Sequence, residues 1–455
     1  PGRKEKIQSL SNMIGLYVNF MSFIVVAIIV LFIIMVALMV ANKIPTLIAL
    51  PLMGILLAIV GGIPLGELPQ VIESGLLLLS GSYVPIIIAG IFGDVIKKTG
   101  IAENIVRRAV ELAGENRIVV ALVCLAVTAV CFMGMTGTGA IIMIGMIIIP
   151  ILLSVGVPKV VASGILLMGC FIGYAFNAAR WTFFVNLFAF DGEESLITMQ
   201  TVSSFAWKFV IPAIIIAVIF ILIGCTKKPK MLCWAAVAPD SAKKEYKKVP
   251  LISLLTPVIP VVLVLVFQLQ QVSIAFFIGI VYAIVTTQYK TKFKGGFSIV
   301  TSACYDGFQS TALTVVLMFG VGILVTVTQR PELSGPIGQI IGAITPTSVF
   351  GFILLFGVFG PVLTQYRGPM NPWGMGAALA KVMAASTLSV PVLMSSFMAY
   401  DYVTGVSDAT SSQVVWTAGA ANTTPVRIQL GTLPFTWLTA LIGVILGTTV
   451  FPVFK

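Results

Sequence analysis

The chain alternates between long apolar stretches and short polar breaks. Apolar runs lie near 20–41, 46–62, 76–96, 158–178, 205–225, 251–268, 272–288, 309–327, 391–406 and 434–453. A helix needs about 20 apolar residues to cross a hydrocarbon core of roughly 30 Å. Helix is the expected state of these runs, because an unpaired N–H or C=O in lipid costs several kcal/mol. Two further apolar regions, 117–155 and 347–387, are interrupted in the middle. Each is followed by a Val-Pro pair that opens the next run, Val157-Pro158 and Val390-Pro391. Proline suits a first helical turn, where its missing N–H would be unpaired anyway.

The runs repeat. Segments starting at 46, 76, 117 and 158 match segments starting at 272, 309, 347 and 391, with offsets of 226, 233, 230 and 233 residues. Gly137-Thr138-Gly139-Ala140 in the first half resembles Gly374-Met375-Gly376-Ala377 in the second. The pattern predicts an all-α polytopic membrane protein of about 10–12 transmembrane helices in two repeats, each holding one re-entrant helical hairpin. The first repeat is 1–225 with hairpin 117–155. A hydrophilic linker covers 226–250, and the second repeat is 251–455 with hairpin 347–387.

Charge orients the repeats. The linker carries Lys227, Lys228, Lys230, Lys243, Lys244, Lys247 and Lys248, and Lys290, Lys292 and Lys294 follow two spans later. Positive charge beside spans marks the cytoplasmic side. Counting back from the linker, Arg117, Arg108, Arg107, Lys98 and Lys97 reach the same side only if 117–155 enters and leaves by one face. Asp191, Glu193 and Glu194 then fall outside. Counting forward, 347–387 enters from the opposite face, so the halves are inverted. Arg3, Lys4 and Lys6 pull the N-terminus toward the cytoplasm, against the external position that the repeat gives it; either the repeat prevails, as the stronger signal, or residues 12–41 contain more than one membrane element.

Composition narrows the class. Of 455 residues, 58% are hydrophobic and 9% charged, which fits a bilayer and not a soluble core. The net charge of +11 is explained by the loop lysines, so no nucleic-acid partner is expected. The run at 13–41 is longer than a signal-peptide core and lacks a small-residue cleavage site. Cys124, Cys131, Cys170, Cys225, Cys233 and Cys304 show no metal spacing and read as small packing residues. There is no histidine, which removes His catalysis, His metal ligands and a His proton relay. No GxxxxGK[ST] loop is present for ATP, and no cofactor or metal is expected.

The breaks carry the candidate chemistry. A helix that stops inside the membrane presents unpaired N–H groups and the positive end of its dipole, which attract anions. In GMTGTGA, 134–140, Gly137 and Gly139 allow close backbone approach, and Thr136 and Thr138 can cap or bind. In YRGPMNPWGMG, 366–376, Pro369 and Pro372 remove donors, Gly368 and Gly374 permit unusual dihedrals, and Asn371 can cap the helix that follows. Two polar stretches, GYAFNAAR at 173–180 and YDYVTGVSDATSS at 400–412, supply Asn177, Arg180, Asp401, Ser407, Asp408 and Thr410. A charged side chain at mid-membrane costs roughly 2.5–3.5 kcal/mol on insertion scales, so each should line a cavity or have a partner. Arg180 or Arg367 could fork onto a substrate carboxylate, while Asp401 or Asp408, with Ser407 and Thr410, could take a coupling ion. The alternative is a structural Arg–Asp pair or an arginine that snorkels to the interface. Asp94 and Asp306, near span ends, read as capping or pairing residues.

The order of elements resembles the ion transporter superfamily of secondary carriers, which includes gluconate, citrate and C4-dicarboxylate permeases. GGIPLGELPQVIESG, AGIFGDVIKKTGIAENIVRRAVE and TGTGAIIMIGMIIIPILLSVGVPKVVASGILL are similar to matching regions of its members. The chain departs from the family by having GYAFNAARWTFF in place of the gluconate permeases' proline- and histidine-rich motif, and by lacking a plain Ser-Asn-Thr motif. The resemblance implies substrate and ion sites at the hairpin tips and the spans after them, and raises the expectation of a homodimer.

Together these readings predict a non-enzymatic secondary transporter for a small organic anion in a bacterial cytoplasmic (inner) membrane, coupled to H⁺ or Na⁺. An uncoupled exchanger is the nearest alternative; a membrane-embedded enzyme or a channel is the more distant one.

Overall fold

The computed structural model describes residues 24–35, 37–39, 43–114, 116–188, 197–226, 249–267, 269, 271–289, 295–384 and 386–455. The acidic loop at 191–194, the linker lysines, Cys233, the cluster at 290–294 and the basic residues before 24 lie outside the described residues.

Helices start and stop where local chemistry dictates. α1 (Ile24–Met39) and α2 (Thr46–Val60) are followed by α3 (Leu68–Leu78) and α4 (Ser80–Thr99). Gly100, at φ 82°, turns the chain into the amphipathic arm α5 (Ile101–Ala113). Asn116 caps α6 (Arg117–Gly134) by accepting the N–H of Ile118 at 3.0 Å. The two arms of the first predicted hairpin, α6 and α7 (Thr138–Ser154), meet at residues 135–137. α8 (Lys159–Tyr174) and α9 (Ala178–Leu187) are bent by 67° at the break between them, and α10 (Met199–Thr226) follows.

In the second half, 251–268 is not one helix. It is a 3₁₀ segment, Leu251–Val258, and the short α11 (Ile259–Leu265), because Pro257 and Pro260 withdraw N–H donors. α12 (Val272–Gln288) and the 34-residue α13 (Gly296–Gln329) lead to α14 (Pro331–Ile344). α15 (Val349–Leu363) follows a 105° bend and carries a π-helical stretch, Ile353–Phe359. Side chains meet carbonyls of that stretch: Tyr400 Oη donates to Phe356 O at 2.6 Å, and Trp437 Nε1 to Val358 O at 2.9 Å. α16 (Met375–Ala384), the broken pair α17 (Val390–Ser407) and α18 (Ser412–Ala420), and α19 (Pro425–Val450) complete the chain. The sequence arm, interrupted pair, broken span, long helix thus occurs twice in chain order.

Among the described residues, α4, α6, α10, α13 and α19 are each long and apolar enough to cross a membrane, and the two bent pairs raise that number to seven. The expected spans at 46–62 and 272–288 are helices of 15 and 17 residues. Lipid-type surface is plain on α10, where Ile211, Ile215 and Ile223 are more than half exposed. α17 differs, being buried along nearly its whole length although it carries Ser395, Ser396, Asp401 and Thr404. α8 is likewise buried from Val161 to Tyr174. These two helices therefore lie in the interior. They cross tightly at Gly405, where a Cβ would stand 1.7 Å from the Phe171 ring. Only glycine permits that approach.

Candidate functional site

A cavity of about 120 Å³ lies where both helix breaks meet the broken spans. The first break contributes Thr136, Gly137 and Thr138, and the second contributes Arg367 and Trp373. α9 adds Arg180, α17 adds Asp401 and Thr404, and the start of α18 adds Ser411, Ser412 and Gln413. Thr311 and Thr314 from α13 close the far wall. Six residues singled out in the sequence thus share one cavity: Thr136, Gly137, Thr138, Arg180, Arg367 and Asp401.

The first break is built from backbone. Gly137 takes φ 87° and ψ 162° and begins α7 with no side-chain cap on that helix. A Cβ there would also meet the Ser310 carbonyl oxygen at 3.0 Å, so strain and space both require glycine. Thr136 is 9% exposed, and its hydroxyl has no hydrogen-bond partner among the described residues. A buried polar atom left unpaired is costly, and it marks a place where a ligand or water would be held. α18 also begins without a side-chain cap, at Ser411. Two helix N-termini without caps therefore border the same space.

The second break is built from side chains. Tyr366 (φ 53°) and Arg367 (φ 58°) are consecutive non-glycine residues in the left-handed region. That conformation costs an L-residue roughly 1–2 kcal/mol, so the surroundings must hold it. Asp408 does so, accepting the N–H of Tyr366 at 3.2 Å and of Arg367 at 3.3 Å. The Tyr366 hydroxyl donates to Gln429 on α19 at 3.1 Å. Asn371, fully buried, accepts the Trp373 N–H at 2.9 Å and donates to the Thr364 carbonyl at 3.3 Å. Among the described residues the Arg367 guanidinium has no hydrogen bond or ion pair and lines the cavity.

Arg180 is held differently. Its guanidinium sits 3.2 Å from the Asp401 carboxylate and lies over the rings of Tyr174, Trp373 and Phe171 at 4.1, 4.8 and 5.3 Å. Trp373 Nε1 donates to Asp401 at 2.6 Å, and the Trp373 ring stacks on Phe183 at 4.2 Å. The second break thereby grips the Arg180–Asp401 pair.

Several expected site residues lie behind the cavity. Asn177 caps α9 and donates to the carbonyls of Phe132, Met133 and Met135 at 3.1–3.4 Å. Ser407 bonds to the hydroxyls of Thr432 and Thr436 at 2.8 and 2.7 Å, and Thr410 donates to Asp408. Gly368 and Gly374 shape the second break, where Gly374 N–H donates to Asn371 O at 3.0 Å. Gly139 faces a second, larger cavity of about 410 Å³ that Thr136 also lines. Asp94, Lys97 and Asp306 border that cavity, and Lys98 joins the two acids at 3.5 and 2.5 Å.

Sequence reading passed over Trp373, Tyr174, Thr311 and Thr314. Trp373 was visible as the aromatic inside a Pro/Gly break. The two threonines were visible as an i, i+3 pair on an otherwise apolar span.

The fold is that of an all-α polytopic membrane protein. The structure is similar to the crystal structure of the Alcanivorax borkumensis YdaH transporter, described as having an unusual topology. The TM-score is 0.57 at 16% identity, covering 85% of this chain and 90% of that one. No protein-family model matches the chain, and no curated protein matches it in sequence.

Proposed function

We propose that the protein is a secondary active transporter of a small organic anion, working by alternating access and coupled to H⁺ or Na⁺. One observation carries this reading: the Arg367 guanidinium and the Thr136 hydroxyl, which make no hydrogen bond or ion pair among the described residues, share a cavity with two helix N-termini that lack side-chain caps. Fixed positive charge and bare N–H groups around a small cavity suit a carboxylate. An engineered cavity of ~150 Å³ holds benzene. A site of about 120 Å³ therefore favours an acid of about four carbons over citrate or gluconate in this conformation.

The recurrence of element order and the resemblance to the ion transporter superfamily support the same class, with the two halves inverted in a bacterial cytoplasmic membrane and a homodimer as the assembly. Of the four residues the sequence offers for coupling, Asp401, Asp408, Ser407 and Thr410, Asp401 lines the cavity and is the one this reading carries forward. The second cavity, across Thr136 and toward Lys97, supplies a route to the other face once the hairpin-bearing region moves.

Uptake of labelled succinate, lactate, citrate and gluconate into proteoliposomes under imposed pH or Na⁺ gradients tests the proposal. Gradient-driven accumulation of one carboxylate is expected. Flux that ignores every gradient would leave an exchanger, and chemical conversion without flux would indicate an enzyme.

A further inference from the structure

Asp408 is fully buried where α17 ends, at the break before α18, and its carboxylate accepts four hydrogen bonds from protein donors. Oδ1 accepts the Tyr366 N–H at 3.2 Å, the Thr410 N–H at 2.9 Å and the Thr410 hydroxyl at 2.7 Å, while Oδ2 accepts the Arg367 N–H at 3.3 Å. An acidic residue inside a membrane protein invites assignment to the coupling ion. The geometry points elsewhere. Two of its four donors are the main-chain N–H groups of the two left-handed residues, and the second of these carries the guanidinium that enters the cavity.

The other half offers a control within the molecule. Asn177 stands 231 residues before Asp408, at the break of the first broken span. It too reaches across to the neighbouring interrupted pair, and its amide donates to the carbonyls of Phe132, Met133 and Met135 at the end of α6. An amide holds no proton or charge to exchange, so what the two positions share is mechanical. Each pins a helix break in its own half. The polarity of the pin follows the backbone groups it meets. Exposed carbonyls at the end of α6 call for a donor, and outward N–H groups at 366–367 call for an acceptor with two oxygens.

We propose that Asp408 is a positioning residue: its carboxylate locks Tyr366 and Arg367 in the left-handed turn that aims the Arg367 guanidinium into the cavity, and it does not bind the coupling ion. This deepens the reading of Arg367 as the anion's partner and rests on it.

Amide hydrogen exchange on the full-length protein reads the lock directly and needs no ligand. Asp408→Ala should speed exchange across 364–370 by at least about tenfold, because the Tyr366 and Arg367 N–H groups lose their acceptor. Asp408→Asn, which keeps one acceptor oxygen, should fall between, and the first break at 134–140 should not change in either variant. Unchanged protection at 364–370 in Asp408→Ala would overturn the proposal. Succinate uptake adds a second readout. Asp408→Asn should raise KM several-fold while leaving dependence on the pH or Na⁺ gradient intact. An unchanged KM with lost gradient dependence would make Asp408 a coupling residue. If Arg367→Gln leaves anion affinity unchanged while the exchange result holds, the substrate reading fails and the lock stands.

Discussion

The two helix breaks solve one problem with opposite materials. At 134–140 the chain uses glycine, a helix start without a side-chain cap and a hydroxyl that has no partner among the described residues. At 366–376 it uses a cation, an indole and a strained turn fastened by Asp408, Asn371 and Gln429. The first break gives direction and the second gives charge. A carboxylate between them would meet dipoles on one side and a guanidinium on the other. The contrast also assigns the two arginines different work. Among the described residues Arg367 faces the cavity without a side-chain hydrogen bond or ion pair, whereas Arg180 is paired with Asp401 and enclosed by three rings.

The comparison can be broken most sharply at Arg367. Arg367→Gln should weaken carboxylate binding by about 100-fold, the loss of a charge-assisted pair. Titration calorimetry with the transported acid measures this, and an unaltered melting temperature would show that the fold survives. Gly137→Ala tests the backbone half. A methyl group on backbone at φ 87° and ψ 162° costs roughly 1–3 kcal/mol and meets the Ser310 oxygen. Both the melting temperature and affinity should fall, the latter by about tenfold. Trp373→Phe keeps a ring beside Phe183 but removes the N–H held by Asp401. Affinity should drop about fivefold, less than the full worth of a hydrogen bond to a charged group, because Trp373 acts on the anion only through the Arg180–Asp401 pair. Thr136→Val is the smallest change. Removing an unsatisfied hydroxyl should leave stability equal or slightly higher and reduce anion affinity roughly threefold. A loss of stability would instead reveal a structural hydroxyl.

Much of this was legible in the chain. Apolar run length set the all-helical membrane class, and the paired Gly/Pro interruptions placed both breaks. Their convergence on one cavity was not legible, because it depends on how α8 and α17 cross at Gly405. Burial of the polar helix α17 was hidden for a related reason. Ser395, Ser396 and Thr404 return hydrogen bonds to their own helix at 2.8–3.1 Å, which lets a polar sequence occupy the core. The roles of Asn177 and Asp408 were also out of reach. Sequence shows a polar residue at each break, but whether it faces a cavity or neighbouring main chain is decided by tertiary packing.

The central claim, that an organic anion sits between the two breaks, is tested most directly by a structure with the transported carboxylate bound. The account predicts carboxylate density within hydrogen-bond distance of the Arg367 guanidinium, with the Thr136 hydroxyl and the first N–H groups of α7 completing the site. Density lodged away from both breaks, with Arg367 still unpaired, would contradict it.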